Sequence, residues 1–292
     1  MADSLQMEVR KAFCEIGRRI WQKDYVASND GNFSYRLEEN LVVATPTMIS
    51  KGFMQPEDMV LVDLEGNQVG GHRRLTSEIR MHLFIYRERP EVRCVVHAHP
   101  PHAVAFAIAR KPVPRCVLAE AEVNLGPVPI APYATTGTWE FARSIAPWVK
   151  NHDAFLLASH GAVVVGHDPF DAFYRLETLE QYARILMLAM QLGEVNTLDL
   201  AAMEDLLRLK ERIGSADPRR HGDTPVCGNE VRPTPAVWQP GKMSFERTDA
   251  PITDAPKASP LAPPQEARER NLFARPDIEE ATRETLRRLG IE

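Results

Sequence analysis

The run VRCVVHAHPPHAVAFAIA at residues 92–109 organises the reading of the whole chain. Residues 92–97 are apolar and β-branched enough for a buried strand, and Pro101–Ala109 reads as a helix entered through proline, whose fixed φ suits a first turn. His97 and His99 stand two apart at the strand's end, so they are expected on one face. Two imidazoles converging there can share one ion, or they can serve only as hydrogen-bonding residues at a strand end. A matching context recurs in LLASHGAVVVG, where strands over 155–159 and 162–165 are split by Gly161 and His160 ends the first of them. Three neutral histidines with an open coordination position are the ligand set of a catalytic Zn²⁺ site. His102 lies one helical turn beyond His99 and is expected to support the site or the fold rather than bind metal.

Upstream, Leu5, Val9, Phe13, Ile16 and Ile20 recur at helical spacing over residues 5–21. Short β-rich pieces follow at 33–37, 41–45 and 60–64, separated by turn residues, and predict an antiparallel meander. Residues 76–87 form a further predicted helix. After the SHG turn come two more, Pro169–Leu192 and 198–213. Strands and helices are mixed without regular βαβ alternation, which favours an α+β layer design over a doubly wound parallel sheet. There is no internal repeat and no glycine-rich nucleotide loop.

The chain has 292 residues, with 35 basic and 40 acidic side chains giving a net charge of −5. Charged residues at 26% and hydrophobic ones at 44% suit an ordinary globule and argue against a nucleic-acid scaffold. No apolar run approaches the ~18 residues that cross a bilayer, and the start MADSLQMEVRKAF lacks the core of a secretory signal, so a cytoplasmic protein is expected. Cys14, Cys94, Cys116 and Cys227 lie far apart with no CxxC pattern; they are expected reduced, forming neither a disulfide nor a thiolate metal site. Of the 23 prolines, 12 fall in the first 213 positions and 11 in the last 79. That asymmetry predicts a folded domain over 1–213 and a disordered, proline-rich linker over 214–275. A short amphipathic helix over 276–292 follows, with Ile278, Ala281, Leu286 and Leu289 on one face.

Glu78 in LTSEIRMH is the best acid/base candidate, since a carboxylate beside a divalent cation stays ionised yet can accept a proton from a carbon acid. Its plainer role is a negative charge in a helix's first turn. Thr76 and Ser77 offer hydroxyls at that helix start, as an anion cradle or simply as caps. Two polar turns, NDGNFS with Gly31, Asn32 and Ser34, and TPTMISKG with Thr45, Thr47, Ser50 and Lys51, offer donors to a phosphate or merely turn chemistry.

Taken in order, GNFS, TPT, TSE, HAH, APYATTGT and SHG resemble the signatures of the class II aldolase/adducin family, nearest to its fuculose-phosphate aldolases. The resemblance spans about residues 5–213. It implies a three-layer α/β/α fold around a mainly antiparallel sheet and a cyclic homotetramer with active sites at subunit interfaces. It also implies one zinc held by His97, His99 and His160, Glu78 as the catalytic carboxylate, and Asn32, Thr47, Thr76 and Ser77 at phosphate-binding positions. The substrate so implied is a phosphorylated sugar, a ketose 1-phosphate cleaved to dihydroxyacetone phosphate and a small aldehyde such as lactaldehyde. Family epimerases carry Asp then Thr where this chain has Glu78 and Ile79, which makes pentulose-phosphate epimerisation the second choice; dehydratases and decarboxylases share more of the pattern. Adducin-type interaction modules lack the three histidines. The chain departs from the pattern in two places: Met48 replaces the glycine after Thr-Pro-Thr, and Leu118 stands where the aldolases carry a proton-donating tyrosine, with Tyr133 expected to be structural. The C-terminal helix resembles the peptides that tether enzymes inside bacterial microcompartments, which makes a shell protein bound by residues 277–292 an expected partner. Docking of that helix on a neighbouring subunit is the alternative.

Overall fold

The computed structural model describes residues 2–214 together with Asp217, Arg219, Val226 and Cys227. All lie in a compact unit, Met1–Ala236; the second unit, Val237–Glu292, carries most of the proline-rich tail and the expected helix over 276–292, both outside the described residues.

The order is α1 (Ala2–Gln22), β1 (Asn32–Glu38), β2 (Leu41–Ala44), β3 (Val60–Val62), β4 (Gln68–Gly70), α2 (Ile79–Glu88), β5 (Cys94–Ala98) and α3 (Pro101–Ala109). There follow α4 (Ala119–Asn124), β6 (Ile130–Ala131), α5 (Trp139–Arg143), β7 (Ala154–Leu157), β8 (Ala162–Gly166), α6 (Pro169–Leu192) and α7 (Leu200–Arg212). The strands form one sheet in the order β4-β3-β2-β1-β5-β8-β7-β6, antiparallel at every pairing except β6 with β7. The predicted meander is β1 to β3. The structure adds β4, α4, β6 and α5, short elements with too few residues to show a period.

Strand alternation sorts the interior into two cores, one on each face of the sheet. Phe33, Tyr35 and Leu37 of β1, with Cys94 and Val96 of β5 and Val164 of β8, pack under α1, α3, α4 and α6. Val42, Val95, Phe155, Val163 and Val165 point the other way, under α2 and α5. The fold is therefore a three-layer α/β/α sandwich. α1 presents Val9, Phe13, Ile16 and Ile20 to the first core, and Phe13 meets Phe33 edge-on at 5.7 Å. Each such fully buried side chain contributes roughly 1.5–3 kcal/mol. On the second face Arg36 caps α2: its guanidinium donates to the main-chain oxygens of Tyr86, Arg89, Pro90 and Val92, at the negative end of the helix dipole. Among the described residues no helix is long and apolar enough to cross a membrane.

The expected four reduced cysteines are not all found: Cys116 and Cys227 form a disulfide, and only Cys14 and Cys94 are free. The pairing joins positions 111 residues apart, so nothing in local spacing announces it. The chain after α7 returns to α4. Lys210 and Arg219 both bind the Asp217 carboxylate, and Arg219 also binds Glu122 of α4, all buried. Packing thus continues beyond position 213, where a linker is expected from composition, because three ion pairs and a disulfide substitute for the missing apolar residues.

Candidate active site

His97 lies on β5 facing α2, and its backbone pairs with Asn32 of β1 on one side and Val163 of β8 on the other. His99 follows just past the strand end. His160 sits in the β7–β8 turn, where Ser159 takes a left-handed conformation and the Leu157 and Gly161 main chains close the hairpin. The three ring centroids stand 4.7–5.0 Å apart, and one nitrogen from each ring lies within 4.8 Å of the other two. Gly161 makes room for this. A Cβ there would meet His99 Cδ2 at 2.6 Å and His97 Cε1 at 2.7 Å, so the rings occupy the volume of a side chain that is absent.

Glu78 completes the cluster. The helix predicted over 76–87 begins at Ile79, which makes Glu78 the residue just before the first turn, with its amide 3.4 Å from Thr76 Oγ1. Its Oε2 lies 3.2 Å from His97 Nε2 and accepts from Asn32 Nδ2 at 2.8 Å; its Oε1 lies 3.3 Å from His160 Nε2. Burial on its own raises the pKa of Glu78, but the two histidines and the Asn32 amide outweigh it and hold the carboxyl well below its ordinary range. Burial works the other way on the imidazoles, pushing His97 down to about 3 and lowering His99. Near neutrality His97 and His99 are therefore neutral rings beside the Glu78 carboxylate.

That arrangement fits a cation. His97 Nδ1 is 2.9 Å from the Ala162 carbonyl, which can only accept, so the ring proton is assigned to Nδ1 and Nε2 presents a lone pair. The lone pair faces Glu78 Oε2 at 3.2 Å and His99 Nε2 at 3.1 Å. Asp30 Oδ2 approaches His99 Nδ1 at 3.4 Å and orients that ring in the same sense. Electron-rich atoms packed this closely in a low-dielectric interior repel one another unless positive charge sits among them. Three imidazoles are the donor set of Zn²⁺ and related divalent ions.

The candidate phosphate residues converge partly. Pro46 bridges to Leu75 and the Thr47 amide donates to Arg74 O at 2.9 Å, so the TPT turn is zipped beside the TSE turn. Thr47 is half-buried, Thr76 buried and Ser77 exposed. Gly137 of the APYATTGT loop closes on Ser77, and Arg80 donates to Gly137 O at 2.8 Å. Asn32 is buried, with Oδ1 on His82 Nε2 and Nδ2 on Glu78; one amide hydrogen is left over. Lys51 Nζ donates to Asn29 O and Ile49 O, tying the two polar turns together, and burial lowers it to about 8. His102 does not join the metal cluster. Its Nδ1 lies 2.6 Å from Glu180, whose two oxygens also accept the His102 and Ala103 amides, so the pair fastens α3 to α6.

Comparison with known proteins matches residues 11–187 to the model of the Class II Aldolase and Adducin N-terminal domain. The chain belongs to this family. An L-fuculose phosphate aldolase of Methanococcus maripaludis is 34% identical over 173 residues, covering 59% of this chain and 93% of its own length. A 3-oxo-tetronate 4-phosphate decarboxylase of Haemophilus influenzae is 31% identical over 189 residues, covering 63% and 88%. A solved L-fuculose 1-phosphate aldolase superposes with a TM-score of 0.64 at 31% identity, over 70% of this chain and 96% of that one.

Within this class II aldolase fold, Met48 keeps the left-handed backbone that a glycine takes without strain, at φ 59°, and its side chain is 77% exposed. Leu118 precedes α4 and packs on the first core, and Tyr133 is exposed. Sequence reasoning missed Asp30 and His82. Both were open to detection: Asp30 stands in the NDGNFS turn, and His82 lies four residues after Glu78, hence on the same helix face.

Proposed function

We propose that this protein is a zinc-dependent class II aldolase that reversibly cleaves a ketose 1-phosphate, of the L-fuculose or L-rhamnulose 1-phosphate type, to dihydroxyacetone phosphate and a small aldehyde such as lactaldehyde. The observation that carries the reading is the Glu78 carboxylate held ionised between His97 and His160, beside an imidazole trio suited to a cation. Zinc bound by His97, His99 and His160 would supply Lewis acidity where negative charge develops on a carbonyl oxygen as the C3–C4 bond breaks. Glu78 then carries the proton. In cleavage its carboxylate gains, directly or through water, the proton that the C4 hydroxyl gives up as the aldehyde forms, and passes it to the carbon left with the electron pair; in the synthetic direction the same transfers run in reverse. Thr47, Thr76, Ser77 and the remaining Asn32 hydrogen bind the phosphate.

The test is product analysis over a panel of ketose 1-phosphates, with ribulose 5-phosphate included for the epimerase alternative, alongside metal analysis of the purified protein. Glu78→Gln should retain zinc and lose about 10²- to 10⁴-fold in turnover. Full aldolase activity in that variant contradicts the assignment, and a protein that takes up no divalent metal would instead point to an adducin-like interaction module. A second reading, decarboxylation of a 3-oxo sugar-acid phosphate, draws on Leu118: departing carbon dioxide exchanges no proton, whereas a departing aldehyde must give up its hydroxyl proton to a group that returns it in the synthetic direction. The panel therefore includes such an acid. The reading extends to a homotetramer, checked by light scattering, and to delivery into a microcompartment by residues 277–292, which a reporter fusion to 265–292 tests in cells with assembled shells.

A further inference from the structure

On the second face of the sheet α2 lies along β1, and the two periods match. Glu78, His82 and Tyr86 recur every four helical residues, a step of about 6 Å. Asn32, Ser34 and Arg36 recur every two strand residues, a step of about 6.6 Å. The two rows of polar side chains therefore interlock, and they are buried: Ser34, His82 and Tyr86 are fully enclosed and Asn32 nearly so. Tyr86 Oη is 2.8 Å from Ser34 Oγ, Ser34 Oγ is 2.7 Å from His82 Nδ1, His82 Nε2 is 2.6 Å from Asn32 Oδ1, and Asn32 Nδ2 is 2.8 Å from Glu78 Oε2.

We propose that His82, Ser34 and Tyr86 are positioning residues that hold the Glu78 carboxylate through Asn32, as a chain of hydrogen-bond donors all pointing toward it. This rests on the reading of Glu78 as the proton carrier. The direction follows from the ends. A carboxylate only accepts, so the Asn32 amide must turn its nitrogen to Glu78 and its oxygen to His82. His82 then donates from Nε2, accepts at Nδ1 from the Ser34 hydroxyl, and Ser34 accepts from Tyr86. The Tyr86 hydroxyl lies nearer to Ser34 Oγ, at 2.8 Å, than to its other acceptor, the Arg93 carbonyl, at 3.4 Å. Burial lowers His82 to about 4, consistent with the single ring proton this requires. The far end is fixed as well, since the Arg36 guanidinium stacks 5.2 Å from the Tyr86 ring centre.

An amide does not relay protons, so the chain is a brace rather than a wire. It engages one oxygen of Glu78 and leaves Oε1 toward His160. Each bond polarises the next, and removing the His82 N–H frees the Asn32 amide to rotate its oxygen against the carboxylate.

The experiment uses the zinc-loaded full chain and dihydroxyacetone phosphate in D₂O, following exchange of the carbon-bound proton by NMR, a step that does not depend on which aldehyde is the partner. His82→Phe should lower the saturated exchange rate about 10- to 100-fold, with half-saturation and zinc content unchanged within twofold. His82→Gln, which can donate to Asn32 and accept from Ser34, should recover most of the loss. In a Glu78→Gln background, His82→Phe should cost nothing further, since the brace then has no carboxylate to hold. If His82→Phe fails to fold, Tyr86→Phe removes the first donor while keeping the ring and should show a several-fold fall of the same kind. Wild-type exchange in the folded variant, or losses that simply multiply with Glu78→Gln, overturns the proposal. No exchange by the wild type, or full exchange by Glu78→Gln, overturns the Glu78 reading instead.

Discussion

One added methyl group at Gly161 should dismantle the histidine cluster. In Gly161→Ala the new Cβ would stand 2.6 Å from His99 Cδ2, 2.7 Å from His97 Cε1 and 2.8 Å from Ala98 O. Ordinary contact begins near 3.4 Å, so both rings and a main-chain oxygen must yield by about 0.6–0.8 Å. They have little freedom to do so, because His97 is tied to Ala162 O and His99 is aligned on Asp30. Overpacking of this kind costs about 1–3 kcal/mol. Because the displaced atoms are the ligand rings themselves, most of that cost should appear in metal affinity, as roughly a 10- to 100-fold loss. Displacement approaching 1 Å at reacting groups costs about 10²-fold in rate as well. Competition against a chromophoric chelator measures the first quantity and steady-state turnover with excess zinc the second; a melting curve shows how far the fold itself has suffered. Zinc affinity within twofold of wild type, with unchanged turnover, would refute the reasoning.

Met48→Gly should raise stability by about 1 kcal/mol by relieving a left-handed non-glycine residue, read as a higher urea midpoint at unchanged slope. Cys116→Ser should cost about 2 to 5 kcal/mol, since the disulfide closes a loop of 111 residues, and dithiothreitol should reproduce the loss in the wild type. Asp217 is raised by burial but lowered further by Arg219 and Lys210, to about 2 against an ordinary 3.8. Its stabilisation, about 2 kcal/mol, is therefore complete above pH ~4 and lost as pH falls through 2. Urea unfolding of wild type and Asp217→Asn at pH 7 and pH 3 should show the gap between them narrowing in acid.

Much of the sheet was legible because its strands are apolar runs bounded by turn residues, and α1 and α6 because their spacing is long enough to show a period. The ring trio was half legible: HAH declares its geometry at the end of one strand, whereas His160 is joined to it only by the antiparallel pairing of β5 with β8. The short elements β4, β6, α4 and α5 carry no periodic signal and owe their form to the larger elements they pack against. Likewise the Cys116–Cys227 pairing and the buried Asp217–Arg219–Glu122 group arise from the chain's return after α7, a tertiary event that proline content masks. Asn32 shows the same limit at the scale of one residue. As a sequence letter it is a polar turn residue available to a phosphate; in the fold His82 engages its oxygen and Glu78 one of its amide hydrogens, which leaves a single hydrogen for that role.

The claim on which all of this turns is that His97, His99 and His160 grip one metal ion next to Glu78. Anomalous diffraction at the zinc edge from crystals of the purified protein tests it directly. The account predicts a single strong peak about 2.0–2.1 Å from one nitrogen of each ring. A difference map with no peak there after zinc loading, or with the ion bound by other residues, would contradict it.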